Sequence, residues 1–267
     1  MLKLRNIHIA LLLFAGGILD CKLALSQSSS PDNTSTQQEA MLILNSAEAA
    51  MGGIQAWSAV GDSTAIGTCT AASLSGDSSQ QSYSFRWIFA KHEFRLEAGT
   101  AAGSSTVILS GHGKPQAFDT GGTKALTSES FALTRPFHLP GEVLATVLSD
   151  SQFHALIVGN EELNGSSLVH IRVLRKLVHS DETGSAQDWW FDSTSHLPLK
   201  VTFKLPGQEI RSYLPITYSF TSWNTIGGLA VPSVISESIY PELPLQTCTV
   251  EEFEVNSQPS SSLFDAR

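Results

Sequence analysis

One short segment with strict alternation constrains this chain more than any other feature of its sequence. Between residues 82 and 90, aromatic residues occupy every second position, namely Tyr83, Phe85, Trp87 and Phe89. The positions between them are filled by Ser82, Ser84, Arg86 and Ile88. A period of two is that of a β-strand, and such alternation is typical of an antiparallel strand with one buried face. The segment therefore predicts a strand whose aromatic side chains share one face.

Strand-like segments recur along the chain after residue 61. They span residues 65–72, 82–90, 105–110, 114–118, 153–158, 168–178, 188–192, 198–205, 216–223, 230–240 and 245–256. Phe94 and Leu96 continue the second segment beyond a bend. Turn pairs such as Gly227-Gly228 separate the later segments. Long strands joined by short turns favour a single large antiparallel sheet, curved or nearly closed.

Helical periodicity is strongest before the strands begin. Within residues 36–60, the apolar residues at helical spacing are Ala40, Leu44, Ala47 and Met51. Gly52-Gly53 ends this helix, and a shorter helix that follows it would place Trp57 in the core. Residues 142–148 predict one further short helix.

The first 26 residues have the pattern of a secretory signal peptide. Lys3 and Arg5 give a positive start, and the uncharged stretch over residues 9–19 is too short to span a bilayer. Small residues at the specificity positions predict cleavage after Ser26. Residues 1–26 are therefore predicted to be removed during export.

A second processing site overlaps the first. Residues 18–21 resemble a lipoprotein box, in which Cys21 would be lipidated and would anchor the protein to a membrane. Asp20 departs from the small residue that such a box has before its cysteine. Beyond the signal, residues 27–35 are polar and predict a flexible leader. No linker or charge run divides residues 36–267, which predict a single domain.

The composition excludes several classes of protein. The chain has 267 residues, of which 42% are hydrophobic, and a formal net charge of −9. That hydrophobic fraction is too high for a disordered chain, and an acidic chain lacks the basic face that nucleic-acid binding needs. No run reaches the roughly 20 apolar residues that cross a membrane. We expect an exported protein that binds no nucleic acid and is not transmembrane after cleavage.

The sequence shows no motif of catalysis or metal binding. No two of the eight histidines lie four residues apart, and none of the patterns HExxH, CxxC and GxSxG occurs. Neighbouring residues on a strand point to opposite faces, so the pairs Glu161-Glu162 and Glu251-Glu252 are not catalytic dyads. We expect no catalytic residue, no metal site and no cofactor.

Two cysteines remain after signal removal, Cys69 in the first predicted strand and Cys248 in the last. Export leads to an oxidising compartment, and a nearly closed sheet brings its first and last strands together. We therefore expect a disulfide between Cys69 and Cys248, with a chain-entropy stabilisation of roughly 5 kcal/mol. The alternative is two buried thiols at separate core positions.

Three groups of residues carry a resemblance to a known family. They are Met51-Gly52-Gly53 with residues 56–60, residues 188–192 with the turn over 193–200, and residues 218–223 with the segment 227–232. With the order of elements over residues 36–265, they resemble the periplasmic outer-membrane lipoprotein-sorting (LolA/LolB-like) superfamily. The resemblance implies an α+β fold that is mainly β. Its single large curved antiparallel sheet forms an unclosed β-barrel, and N-terminal helices cover the concave side.

The same resemblance implies a hydrophobic concavity that holds acyl chains. The expected lining residues are Tyr83, Phe85, Trp87, Phe89, Trp189 and Phe191. An aromatic row of this kind is more often simply part of a core. The leading hypothesis is an exported, non-enzymatic protein that holds a lipid, a lipoprotein acyl chain or another hydrophobic ligand, with outer-membrane or lipoprotein partners. The alternative is a structural or partner-binding cell-envelope protein with a filled core and no ligand.

Overall fold

The structure is a computed structural model. It describes residues 33–72, 80–90, 93–100, 103–109, 116–119, 122–125, 139–163, 165–175, 186–206, 213–239 and 243–264. The predicted signal peptide, the predicted anchor at Cys21 and leader residues 27–32 lie outside the described residues.

The α-helices in these ranges are α1 (Asn33–Ala50), α2 (Ile54–Ser58) and α3 (Pro140–Ser149). The apolar stripe predicted on the first helix is confirmed, because its four members Ala40, Leu44, Ala47 and Met51 are fully buried. α1 begins before its predicted start, inside the segment predicted as leader. It ends where Gly52 and Gly53 adopt φ values of +118° and +90°, a conformation that favours glycine.

Thirteen strands form one antiparallel sheet in the described part of the chain. They are β1 (Asp62–Ala71), β2 (Gln81–Ala90), β3 (Glu93–Thr100), β4 (Gly103–Leu109), β5 (Gln116–Asp119), β6 (Gly122–Ala125), β7 (Phe153–Leu163), β8 (Ser166–Arg175), β9 (Gln187–Asp192), β10 (Pro198–Pro206), β11 (Tyr213–Ile226), β12 (Leu229–Ile239) and β13 (Leu243–Val255).

Two strands differ from the sequence-based expectation. Phe94 and Leu96 do not continue β2 beyond a bend; they belong to β3, which returns antiparallel with Phe94 opposite Phe89. β6 is absent from the predicted set because its four residues, Gly-Thr-Lys-Ala, show no apolar alternation. Several other strands extend by a few residues beyond their predicted ends, as β7 does to Leu163.

The strand order places the two ends of the domain at the centre of the sheet. The order is β6-β5-β4-β3-β2-β1-β13-β12-β11-β10-β9-β8-β7, so β6 and β7 form the edges. The sheet is therefore not closed, as expected for a half-barrel. The first and last strands meet for a different reason from the predicted near-closure. They are direct hydrogen-bonded neighbours, with Cys69 opposite Cys248 in the register.

This register explains the disulfide, which is present in the structure. Sγ of Cys69 and Sγ of Cys248 are 2.02 Å apart, and the two Cα atoms are 4.0 Å apart. The bond joins residues separated by 179 positions in the sequence. It therefore fixes the central strand pair covalently.

One face of the sheet, called here the helix-covered face, packs against the three helices in a single hydrophobic cluster. α1 contacts β7 and α3, while α3 also contacts α2 and β12. Cover thus comes from α3 in the middle of the chain as well as from the two N-terminal helices. Gly141 permits this packing, because a Cβ there would lie 2.1 Å from Cε2 of Trp57.

The opposite face carries a smaller cover formed by the C-terminal segment. Phe264, in a short 3-10 helix (Ser261–Phe264), packs against Ile88. Asp62 holds this segment in place by accepting hydrogen bonds from the backbone N–H groups of Ser257 and Gln258, at 2.8 and 3.1 Å. Ile88 is therefore buried although it points away from the aromatic row.

Candidate functional site

The aromatic row of β2 lies on the helix-covered face. Phe85, Trp87 and Phe89 are buried, and Tyr83 is half-buried. The rings of Phe85 and Trp87 stack with centroids 4.0 Å apart, and Phe89 packs on Phe94 at 4.9 Å. The predicted shared face is confirmed, because the three buried members of the row all belong to the cluster beneath the helices.

The second aromatic set lies on β9 and faces the same side. Trp189 and Phe191 are buried in the same cluster, with ring centroids 5.9 Å apart. Trp190 points to the opposite face, as alternation requires. Five strands separate β9 from β2 in the sheet order. The two aromatic sets therefore belong to different parts of one apolar face.

Four polar residues lie on β2 and on the strands between the two aromatic sets, toward one end of the sheet. This rim cluster consists of Tyr83, Gln246, Glu237 and Tyr218. The Tyr83 hydroxyl donates to Oε1 of Gln246, whose Nε2 donates to Oε2 of Glu237 at 2.7 Å. Glu237 and Tyr218 are register partners on β12 and β11. In the strand register, Tyr218 lies opposite Val201 on β10, and Val201 lies opposite Trp189 on β9.

Burial changes the acidity of the rim cluster. It raises the pKa of Tyr83 to about 12, and the nearby Glu237 adds to that effect. Burial also raises the pKa of Tyr218 and of Glu237, while the hydrogen bond from Gln246 acts in the opposite direction on Glu237. Such a set of buried hydroxyl, amide and carboxyl groups can orient a polar group at the end of an apolar ligand. Sequence reasoning missed it, although Glu237 follows Ile235 at the two-residue period of the buried face.

The turn between α1 and α2 is fixed to the sheet. The carbonyl oxygen of Met51 accepts hydrogen bonds from Nε1 of Trp57 and from the backbone N–H of Ala230, both at 3.0 Å. A Cβ on Gly52 would lie 2.7 Å from the carbonyl oxygen of Gly228, so only glycine fits this approach. Two of the three sequence groups that carried the family resemblance therefore meet at this turn.

A pocket of about 340 Å³ opens at the same turn. Its lining residues are Asn45, Glu48, Ala49, Gly52, Gly53, Ile54 and Gln55. We call it the corner pocket. Glu48 is 1% exposed, and neither of its carboxyl oxygens has a hydrogen-bond partner within the described part of the chain. Burial raises the pKa of Glu48 to about 8, so its side chain is mainly a neutral carboxylic acid at neutral pH.

Sequence analysis did not single out Glu48. The signal that could have found it is its position four residues after Leu44, on the flank of the buried stripe of α1. A glutamate at that position lies on the buried side of an amphipathic helix and not on its solvent-exposed side. The residue is therefore a buried acid, and the predicted lining residues do not contribute to its pocket.

A network of polar contacts around His170 occupies the opposite face of the sheet. The Nε2 and Nδ1 atoms of His170 lie 2.9 Å from Asp188 and 3.2 Å from Glu161, and its ring stacks on Trp190 with centroids 4.1 Å apart. The Nζ atom of Lys200 lies 3.9 Å from the centroid of the Trp190 ring. Within the described ranges, no group of three His, Cys, Asp or Glu residues is placed to hold a metal ion.

Comparison with known proteins gives matches among solved structures only. No protein-family model and no curated protein matches the sequence. A domain from Vibrio parahaemolyticus named for outer membrane lipoprotein sorting superposes with a TM-score of 0.54 at 13% identity, covering 86% of this chain and 97% of that domain. A LolA superfamily protein from Nitrosomonas europaea gives 0.54 at 15% identity, covering 84% and 96%.

A third structure extends the same likeness. A DUF1329 family protein from Desulfovibrio piger superposes with a TM-score of 0.55 at 12% identity, covering 86% of this chain and 97% of that protein. These matches cover nearly the whole of each relative. The chain therefore has the fold of the LolA superfamily, as the sequence resemblance predicted. Among the described residues, no helix combines the length and apolar character that crossing a bilayer requires.

Proposed function

We propose that this protein is exported and binds a hydrophobic ligand, such as an acyl chain, on the helix-covered face without catalysing a reaction. One observation carries the proposal. The aromatic sets of β2 and β9 belong to one apolar face, and the rim cluster supplies polar groups at its end. Apolar walls with a few placed polar groups are typical of ligand sites. The names of the structures with the same fold, which refer to lipoprotein sorting and the LolA superfamily, support this class of ligand.

The lining of β2 continues onto a less covered part of the same face. Phe94 and Leu96 on β3 are half-buried, and Leu96 lies opposite Trp87 in the register. An acyl chain that packs against these residues would bury apolar area worth about 25 cal/mol per Å². We propose that the ligand contacts Tyr83, Phe85, Trp87, Phe89, Trp189 and Phe191, with Leu96 at the entrance.

A second candidate function has an observation of its own. Five of the six proposed lining residues are already buried by the chain itself: Phe85, Trp87, Phe89, Trp189 and Phe191. A core filled in this way suits an envelope protein that binds a partner and no lipid. The two functions differ in whether the aromatic side chains move apart to admit a ligand.

Native mass spectrometry of protein purified from a bacterial envelope tests the first function. We expect a stoichiometric mass that organic extraction identifies as a lipid. The intact mass also tests the predicted start at Gln27 against a lipidated Cys21. A bare chain that takes up no fluorescent fatty acid would overturn the ligand-binding proposal and favour the partner-binding one.

A pair of variants tests the location of the ligand. Leu96→Gln places an amide at the proposed entrance and should weaken fatty-acid uptake by about tenfold, the factor expected for losing roughly 1.4 kcal/mol of binding. Leu42→Gln is the matched control, because Leu42 on α1 is 65% exposed. Equal uptake by both variants and the parent would place the ligand elsewhere.

A further inference from the structure

The corner pocket lies at an electronegative part of the molecule. Asn45, Glu48 and Ala49 belong to the last turns of α1, at the negative end of the helix dipole. The last turn of α1 contains no basic residue that would balance this charge. A cation at this position is favoured by the helix end and by any ionised carboxylate beside it.

Glu48 is the unusual member of the pocket. Its two carboxyl oxygens are buried without a hydrogen-bond partner among the described residues, an arrangement that buried polar groups rarely keep. Its neighbours bring further acceptors. Nδ2 of Asn45 donates to the carbonyl oxygen of Met41 at 2.7 Å, and Gln55 also lines the pocket. Three of the lining residues, Asn45, Glu48 and Gln55, thus carry a side-chain oxygen that can accept a hydrogen bond.

We propose that the corner pocket binds the primary ammonium group of a small amine or of a lipid headgroup, with Glu48 as its counter-ion. An ammonium group has three N–H donors, which matches the three acceptor side chains Asn45, Glu48 and Gln55. A divalent metal ion is a poorer match, because Ca²⁺ and Mg²⁺ need about six oxygen ligands. An anionic group would be repelled by the carboxylate and by the end of α1.

Binding is coupled to the release of a proton. In the free protein Glu48 carries its acidic proton at neutral pH. The ammonium ion arrives with its positive charge, the carboxyl group loses its proton to the solvent, and the ion pair forms between carboxylate and ammonium. Each bound amine therefore releases up to one proton. Contact requires the Glu48 side chain to turn toward the pocket, because both carboxyl oxygens are buried, while Met51 keeps the turn fixed to Trp57 and Ala230.

Isothermal titration of the purified protein with n-butylammonium, in two buffers of different ionisation enthalpy, tests the proposal. We expect saturable binding with proton release in the parent protein. Glu48→Gln keeps the shape of the neutral acid and should bind about tenfold more weakly or worse, without proton release. Glu39→Gln is the matched control, because Glu39 is exposed on the same helix. Thermal melts at mildly acidic pH, where Glu48 is protonated, establish that Glu48→Gln folds.

Two lipids separate the sources of the ammonium group. Dihexanoyl phosphatidylethanolamine presents a primary ammonium, whereas dihexanoyl phosphatidylcholine presents a quaternary one without N–H donors. Preference for the first lipid over n-butylammonium, with no binding of the second, assigns the site to a lipid headgroup. Binding of n-butylammonium alone assigns it to a free amine. Equal affinity in parent and Glu48→Gln, equal binding of n-butanol, or no binding of any probe would overturn the proposal.

Discussion

Glu48 at the corner pocket and Glu237 in the rim cluster are both acids withdrawn from water, but their surroundings differ. Glu237 accepts a hydrogen bond from Gln246 at 2.7 Å, which offsets part of the effect of burial on its pKa. Glu48 has no such donor, and burial alone raises its pKa to about 8. The rim cluster is thus a hydrogen-bonded network, while the corner pocket holds an acid to which none of the described residues donates a hydrogen bond. Glu237 is therefore part of the internal hydrogen bonding of the fold, whereas Glu48 is the acid that we propose pairs with a ligand.

Removing the disulfide should have the largest effect and should act mainly on the rim. Cys69 lies opposite Tyr83, and Cys248 lies two residues from Gln246. We expect the double variant Cys69→Ala/Cys248→Ala to lose about 5 kcal/mol of unfolding free energy in chemical denaturation. In the folded variant, hydrogen exchange should accelerate at the amides of β1 and β13 and stay unchanged at Gly53. Equal acceleration at both places would contradict the separation of the two regions.

Trp57→Ala should destabilise the turn at the corner pocket and leave the rim cluster unchanged. Trp57 is 2% exposed, donates to Met51 and packs against Gly141. Truncating it should lower the unfolding free energy by about 3–5 kcal/mol, the range for large-to-small changes at aromatic core positions. Hydrogen exchange at the Ala230 amide reports the local loss, because this amide donates to Met51. A loss below about 1 kcal/mol would show that the turn does not depend on Trp57.

The pH dependence of stability distinguishes the two acids directly. An unfolded glutamate loses its proton near pH 4.5, whereas folded Glu48 keeps it until about pH 8. Ionisation therefore favours the unfolded state over this interval, and Glu48 makes stability fall as pH rises from about 4.5 to about 8.

Relative to Glu48→Gln, the parent should lose up to about 1.4 kcal/mol per pH unit. Denaturation curves at several pH values across this interval measure that loss. The comparison of the parent with Glu237→Gln should show the same sign and a smaller total loss, because the hydrogen bond from Gln246 favours the ionised form of Glu237. Equal total losses in the two comparisons would remove the distinction between the acids.

Tyr83→Phe should have the smallest effect. It removes one donor from Gln246 while Gln246 keeps its bond to Glu237, so we expect a loss of about 1 kcal/mol or less. Because burial raises the pKa of Tyr83 to about 12, the variant should leave the phenolate absorbance unchanged until strongly alkaline pH. A difference between variant and parent near the ordinary tyrosine range, about pH 10, would contradict the burial of this hydroxyl.

Local patterns predicted much of this fold because they follow from the geometry of single elements. The stripe from Ala40 to Met51 and the alternation from Tyr83 to Phe89 each arise within one helix or one strand. The disulfide was also predicted, but through near-closure of the sheet. The actual cause is that β1 and β13 pair, and pairing between segments at opposite ends of a chain leaves no periodic signal in either.

The two acidic sites show why the rest could not be predicted. Glu237 occupies an apolar position of the alternating pattern, but its partners lie on β2, β11 and β13. The surroundings of Glu48 form only after Gly52 and Gly53 turn the chain. No sequence pattern indicates that its carboxyl group will lack a hydrogen-bond donor among the described residues. The six proposed lining residues remain a prediction about function, since burial within the core describes them equally well.

The central position of the pair formed by β1 and β13 has a consequence for the order of folding. The other described strands lie outward from this pair, yet its second member, β13, is the last of them along the chain. Pairings between distant segments form slowly, because the loop between them must close first. A chain delivered from its N-terminus can thus assemble the two flanking meanders, β1 to β6 and β7 to β12, independently, but it can join them into one sheet only after its final strand has arrived.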